Sequence, residues 1–146
     1  GFTPMFQEIS ELKYVKFVKR DAIEKEALLS KPKFSDMSLI PLLYDEFRRI
    51  VADDKSQSKQ SGRLKKQFVF IILYLYSPAT LAGGKIRTGV RNELQKLFRY
   101  KSPTAISNIG ASAAFWYSQY RHFRKQVESV FIRLMEWHND RIKTDS

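Results

Sequence analysis

Hydrophobic residues fall at helical spacing along most of this chain, and polar breaks divide it into segments. Phe6, Ile9, Val15 and Val18 recur every few residues, and Ile23, Ala27 and Leu28 continue the pattern. Thr3-Pro4 supplies a cap residue and a first-turn proline, and Pro32 disfavours helical geometry in the residue before it. A helix is therefore predicted from that pair to about Ser30. It carries no visible chemistry and reads as a packing or oligomerisation helix. A second helix is predicted from Asp36 or Ser38 to Ala52, with Leu39, Leu42, Leu43, Phe47, Ile50 and Val51 as a wide apolar face. Pro41 fits only near its start, so an irregular first turn is expected. Asp45 and Glu46 are neighbours, diverge by about 100° on a helix, and are expected on the solvated face.

The segment Asp53 to Gly62 is polar throughout and predicts a loop with no residue entering a core. A third helix is predicted from about Arg63 to Tyr76. Its run Phe68 to Tyr76 is apolar on every side, which marks a central core helix. Arg63, Lys65 and Lys66 crowd its first turn, where the helix dipole disfavours cations, so a phosphate neighbour or solvent screening is expected to compensate. After a Ser-Pro turn and the Gly83-Gly84 break comes a basic helical segment, Lys85 to Phe98. Ser102 and Pro103 then cap and start another short helix. From Ser112 to His138 the stripe Trp116, Tyr120, Phe123, Val127, Val130, Leu134 and Trp137 predicts one long amphipathic helix, with Gly110 ending or kinking the helix before it. Such a stripe suits either an intermolecular seam or the core side of a bundle helix, and the core side is expected. The tail from Asn139 is expected to fray.

This pattern predicts an all-α fold, a compact bundle of five or six helices. Residues 1–146 form a single domain on this reading, divisible into 1–52 and 63–138 about the polar loop 53–62. The 146-residue length suffices for one real core. The longest apolar run, nine residues, is too short to span a bilayer. Cysteine is absent, which excludes disulfides and thiolate chemistry and suits a reducing compartment, so a cytoplasmic protein is expected. No N-terminal signal sequence is visible, and Gly1 reads as a trimmed start.

Charge changes the picture most. The net charge is +11, but residues 1–60 hold eleven Lys/Arg against ten Asp/Glu, whereas residues 61–146 hold fifteen against five. Between Ser61 and Lys125 there are twelve basic residues and one acid, Glu93. A field of that kind attracts polyanions. Enzymatic groupings are nearly absent. His122 and His138 lie more than four helical turns apart, Asp53 and Asp54 lack the further ligands of a calcium loop, and Gly83-Gly84-Lys85 lacks the spacing of a phosphate-binding loop. No catalytic residue, metal or cofactor is assigned, and no enzyme is expected.

Val90, Leu94, Leu97 and Phe98 give the basic helix an apolar face; Tyr100 stands in the connector as its hydrophobe; Ala105, Ile106 and Ile109 pin the next helix. Residues 88–109 thereby resemble the helix-turn-helix of DNA-binding proteins, whose second helix enters the major groove. The chain departs from that pattern at Gln95, where a small residue is usual, at Arg99, where glycine is usual, and in a connector one residue longer. The stretch Ser102 to Tyr120 also carries no charge. The resemblance implies a nucleic-acid-binding protein, a DNA-binding regulator or accessory factor. Thr104, Ser107 and Asn108 would meet bases or phosphates, and Lys85, Arg87, Arg91, Lys96, Arg99 and Lys101 would meet phosphates. The expected partner is nucleic acid, duplex DNA in the first place, with a homodimer as one binding mode. The alternative is a structural or partner-binding bundle whose basic face meets an acidic protein; an anionic membrane surface is a weaker third option.

Overall fold

The computed structural model describes residues 5–57 and 60–145, and every regular element among them is helical. There are seven α-helices: α1 (Gln7–Leu29), α2 (Ile40–Asp53), α3 (Ser61–Tyr76), α4 (Pro78–Leu81), α5 (Thr88–Phe98), α6 (Thr104–Gln119) and α7 (Arg121–Asp145). A 3-10 turn, Met37–Leu39, precedes α2. The number exceeds the five or six expected because the Ser77-Pro78 turn continues into the single helical turn of α4. The chain divides into two compact units, the first ending at Lys31 and the second beginning at Pro32.

The first unit contains α1. None of its residues is buried, and Ile9, Val15, Val18 and Ile23 are all exposed. An ion pair one turn apart, Lys25 to Asp21 at 3.1 Å, lies on its surface. Thr3 and Pro4, the expected start signal, lie outside the described residues.

The second unit is organised around α3. Phe68, Val69, Ile71, Ile72, Leu73, Leu75 and Tyr76 are buried, whereas Phe70 is half-buried and Tyr74 exposed, so the apolar run is central but keeps one narrow outward face. Around it pack α2, α4, α5, α6 and α7, and α5 and α6 also pack on each other. Tyr76 ends the helix with its hydroxyl donating to the Asp36 carbonyl at 2.8 Å, and burial, aided by the Asp36 charge, pushes the phenol far above its usual range. The irregular start of α2 is the 3-10 turn: the Asp36 carboxylate accepts from the Ser38 N–H at 3.0 Å and its hydroxyl at 2.6 Å.

Five local expectations need correction. Glu46 is buried rather than solvated, because Arg49 one turn later pairs with it and covers its charge. Gln57, in the polar loop, is also buried; its side-chain carbonyl accepts from Gln67 Nε2 at 3.3 Å. Gly110 neither ends nor kinks a helix. It lies inside α6, where a β-carbon would come within 3.0 Å of Leu73 Cδ1, so the glycine lets α6 approach α3 closely. The expected single helix 112–138 is instead broken at Tyr120, which is extended at φ −115°, and α7 then continues helically to Asp145 instead of fraying from Asn139.

Within α7 the stripe is used for the core. Phe123, Val127, Val130 and Leu134 are buried, while Tyr120 at the break is 49% exposed. No helix among the described residues is long and apolar enough to cross a membrane.

Candidate nucleic-acid interface

The connector between α5 and α6 is built by two local devices. Arg99 closes α5 in the left-handed conformation, φ 59° and ψ 37°, which reverses the chain as a glycine would. Ser102 then opens α6, its hydroxyl accepting from the Thr104 N–H at 3.2 Å. Between them Gln95 Nε2 donates to the Tyr100 carbonyl at 3.1 Å, so the residue that replaces the usual small side chain braces the connector. Ile106 is buried, which turns Thr104, Ser107 and Asn108 to the exposed side of α6.

The six candidate cations fall into different surroundings. Lys85 and Arg91 line one groove together with Ser107. Two hydroxyl residues that the sequence did not single out, Thr80 and Thr88, line it too, and its volume is about 680 Å³. Arg87 turns away to cap α3: its backbone N–H donates to Ser77 Oγ at 3.2 Å and its Nη1 to the Tyr76 carbonyl at 3.4 Å. Lys96 sits about 140° around α5 from Arg91 and pairs with Glu93 at 3.8 Å. Arg99 and Lys101 are exposed in the connector. The structure thus gathers Lys85, Arg91 and Ser107, leaves Arg99, Lys101, Thr104 and Asn108 on the connector and the outer side of α6, and occupies Arg87 and Lys96 with the protein's own groups. Thr80 and Thr88 gave no signal of their own; the Gly83-Gly84 break marked only that the chain turns near them. Gly83 makes that turn at φ 98°.

The cations at the start of α3 do not need a phosphate. Lys66 lies over the Trp116 ring at 4.4 Å and Arg63 over the same ring at 5.9 Å. Arg63 Nε also donates to Gln126 Oε1 at 3.1 Å, and Lys65 Nζ to the Tyr100 hydroxyl at 3.1 Å. Ring faces and side-chain oxygens therefore offset the unfavourable helix end.

Comparison with known proteins adds no relative: no protein-family model, curated protein or solved structure matches the chain.

Proposed function

We propose that this chain is a non-enzymatic nucleic-acid-binding protein that engages duplex DNA through the α5–α6 unit. The observation that carries the reading is a juxtaposition. Thr104, Ser107 and Asn108 share the exposed side of α6, while Lys85, Arg91, Arg99 and Lys101 flank it with no ion pair to any of them among the described residues. Small hydrogen-bonding side chains suit base edges, and unpaired cations beside them suit phosphates. The mutual packing of α3, α5 and α6, and the left-handed Arg99 at the turn, add support for a helix-turn-helix arrangement.

The rival is a helical bundle that meets an acidic protein. Its supporting observation is that α6 has no charge of its own and exposes Phe115, 55% accessible, on the same helix. Titration of a labelled duplex at several salt concentrations separates the two. On the DNA reading, affinity falls with salt at a slope of about 0.9 per neutralised phosphate, and a variant with Arg91, Arg99 and Lys101 changed to alanine binds more weakly with a shallower slope. A folded triple variant with unchanged affinity overturns the reading, and an acidic polypeptide that competes as well as DNA favours the rival.

A further inference from the structure

The groove beside α6 has the chemistry of an anion seat. Its walls come from the segment Thr80 to Arg91 and the first three turns of α6, with Leu73 of α3 between them. None of its lining residues is acidic, and two are cations, Lys85 and Arg91. Thr80, Thr88 and Ser107 add hydroxyls, although the Thr80 hydroxyl already faces Ser77 Oγ at 2.8 Å and the Lys85 carbonyl at 3.3 Å.

Arg91 is the unusual member. Its Nε is shut off from solvent and has no hydrogen-bond partner, and its guanidinium has no ion pair among the described residues. Three other arginines packed around this unit have internal acceptors: Arg87 holds the Tyr76 carbonyl, Arg63 holds Gln126, and Arg124 holds the Tyr117 carbonyl, whereas Arg99 stands exposed in water. A partly buried guanidinium without a counter-charge is costly unless a ligand supplies one. Its planar fork matches a tetrahedral oxyanion better than an ammonium does.

We infer that this groove seats a phosphate group, held by Arg91 and Lys85 with the Thr88 and Ser107 hydroxyls beside it. Resting on the nucleic-acid reading, the occupant is a backbone phosphate of the bound strand. The seat would then fix the register of α6, because Ser107 belongs both to the groove and to the exposed side that carries Thr104 and Asn108.

The test follows the Arg91 Nε–H resonance, whose shielding from solvent favours slow exchange, in the full chain. Inorganic phosphate is titrated against a sodium chloride control of equal ionic strength, and a duplex oligonucleotide is titrated separately. Both phosphate and duplex are expected to shift the resonance saturably. Arg91→Gln should lower duplex affinity by about tenfold and the salt slope by about 0.9, and Lys85→Gln should act in the same direction. Circular dichroism of both variants checks the fold. If the duplex binds but the Arg91 resonance stays still and Arg91→Gln keeps its affinity, the groove inference fails and the nucleic-acid reading stands. If phosphate shifts the resonance but no duplex binds, the seat stands as a site for a free phosphate-bearing molecule and the nucleic-acid reading fails. A resonance unmoved by phosphate together with no duplex binding overturns both.

Discussion

Arg124 Nε donates to the carbonyl of Tyr117 at 3.1 Å, across the break between α6 and α7. The same guanidinium reaches the Ser118 carbonyl at 3.3 Å through Nη2. The last carbonyls of α6, which have no partner inside their own helix, are thus closed by a side chain from the first turn of the next. Tyr120 serves both helices, its N–H bonding back to Trp116 at 2.8 Å and its carbonyl accepting from the Arg124 N–H at 3.0 Å. Arg124→Ala should therefore destabilise the protein by roughly 1–2 kcal/mol, and lysine should restore little because an ammonium cannot fork between two carbonyls. Urea unfolding of the three proteins checks this; equal midpoints would show that the cap contributes nothing.

The start of α6 gives a second prediction with two unequal parts. Ser102→Ala removes one acceptor for an exposed N–H and should cost about 1 kcal/mol. Ile106→Ala empties a fully buried site and should cost about 2–5 kcal/mol. Denaturation midpoints that place the serine change above the isoleucine change would mean that the cap, not the core contact, anchors this helix.

Val127 faces the core at 2% exposure. An aspartate there would bury an unpaired carboxylate, so Val127→Asp should destabilise by about 4 kcal/mol or more and leave little folded protein. Sedimentation and circular dichroism provide the check. A folded monomeric variant would assign the α7 stripe to an interface between copies instead.

His138 packs against Phe34 at 4.8 Å between ring centroids, and its Nδ1 is buried without a hydrogen-bond partner among the described residues. Burial, followed by the charge of Arg141, lowers its pKa below the ordinary value of 6.5. The unfolded chain therefore binds this proton more readily than the folded one. The stabilising contribution is complete above about pH 6.5 and is lost as pH falls through the lower folded-state value. Unfolding free energy measured from pH 8 to 5 should decline over that window, and the decline should flatten in His138→Gln. Identical profiles for the two proteins would remove His138 as its source.

Much of the architecture is legible in the sequence where one residue type decides locally. The unbroken apolar run Phe68 to Tyr76 offers no polar face, so its helix is central, with only Tyr74 exposed and Phe70 half-buried. The pair Ser102-Pro103 followed by Ala105, Ile106 and Ile109 sets both the start and the register of α6. The break at Tyr120 was hidden because the apolar stripe keeps its spacing across it, from Trp116 through Tyr120 to Phe123. Gly110 looked the better place for an end, yet its missing side chain serves helix packing, which only the neighbouring Leu73 reveals.

The charges were the least legible part. Charge counting treats Lys66, Arg87 and Arg124 as equal members of one basic field. The fold lays the first over Trp116, hangs the second on the Tyr76 carbonyl and uses the third to close α6. Nothing in local spacing separates these from Arg91, whose guanidinium has no such partner among the described residues, because the distinction depends on which carbonyls and rings arrive from distant segments.

Arg99 carries a consequence for how mutations would sort. A left-handed backbone costs a residue with a side chain about 1–2 kcal/mol that glycine escapes, so position 99 holds its cation at the expense of a steadier turn. On the nucleic-acid reading, Arg99→Gly raises the melting temperature while loosening the grip on DNA. Selection for heat resistance alone would then drift toward glycine at this position, and selection for binding would hold the arginine.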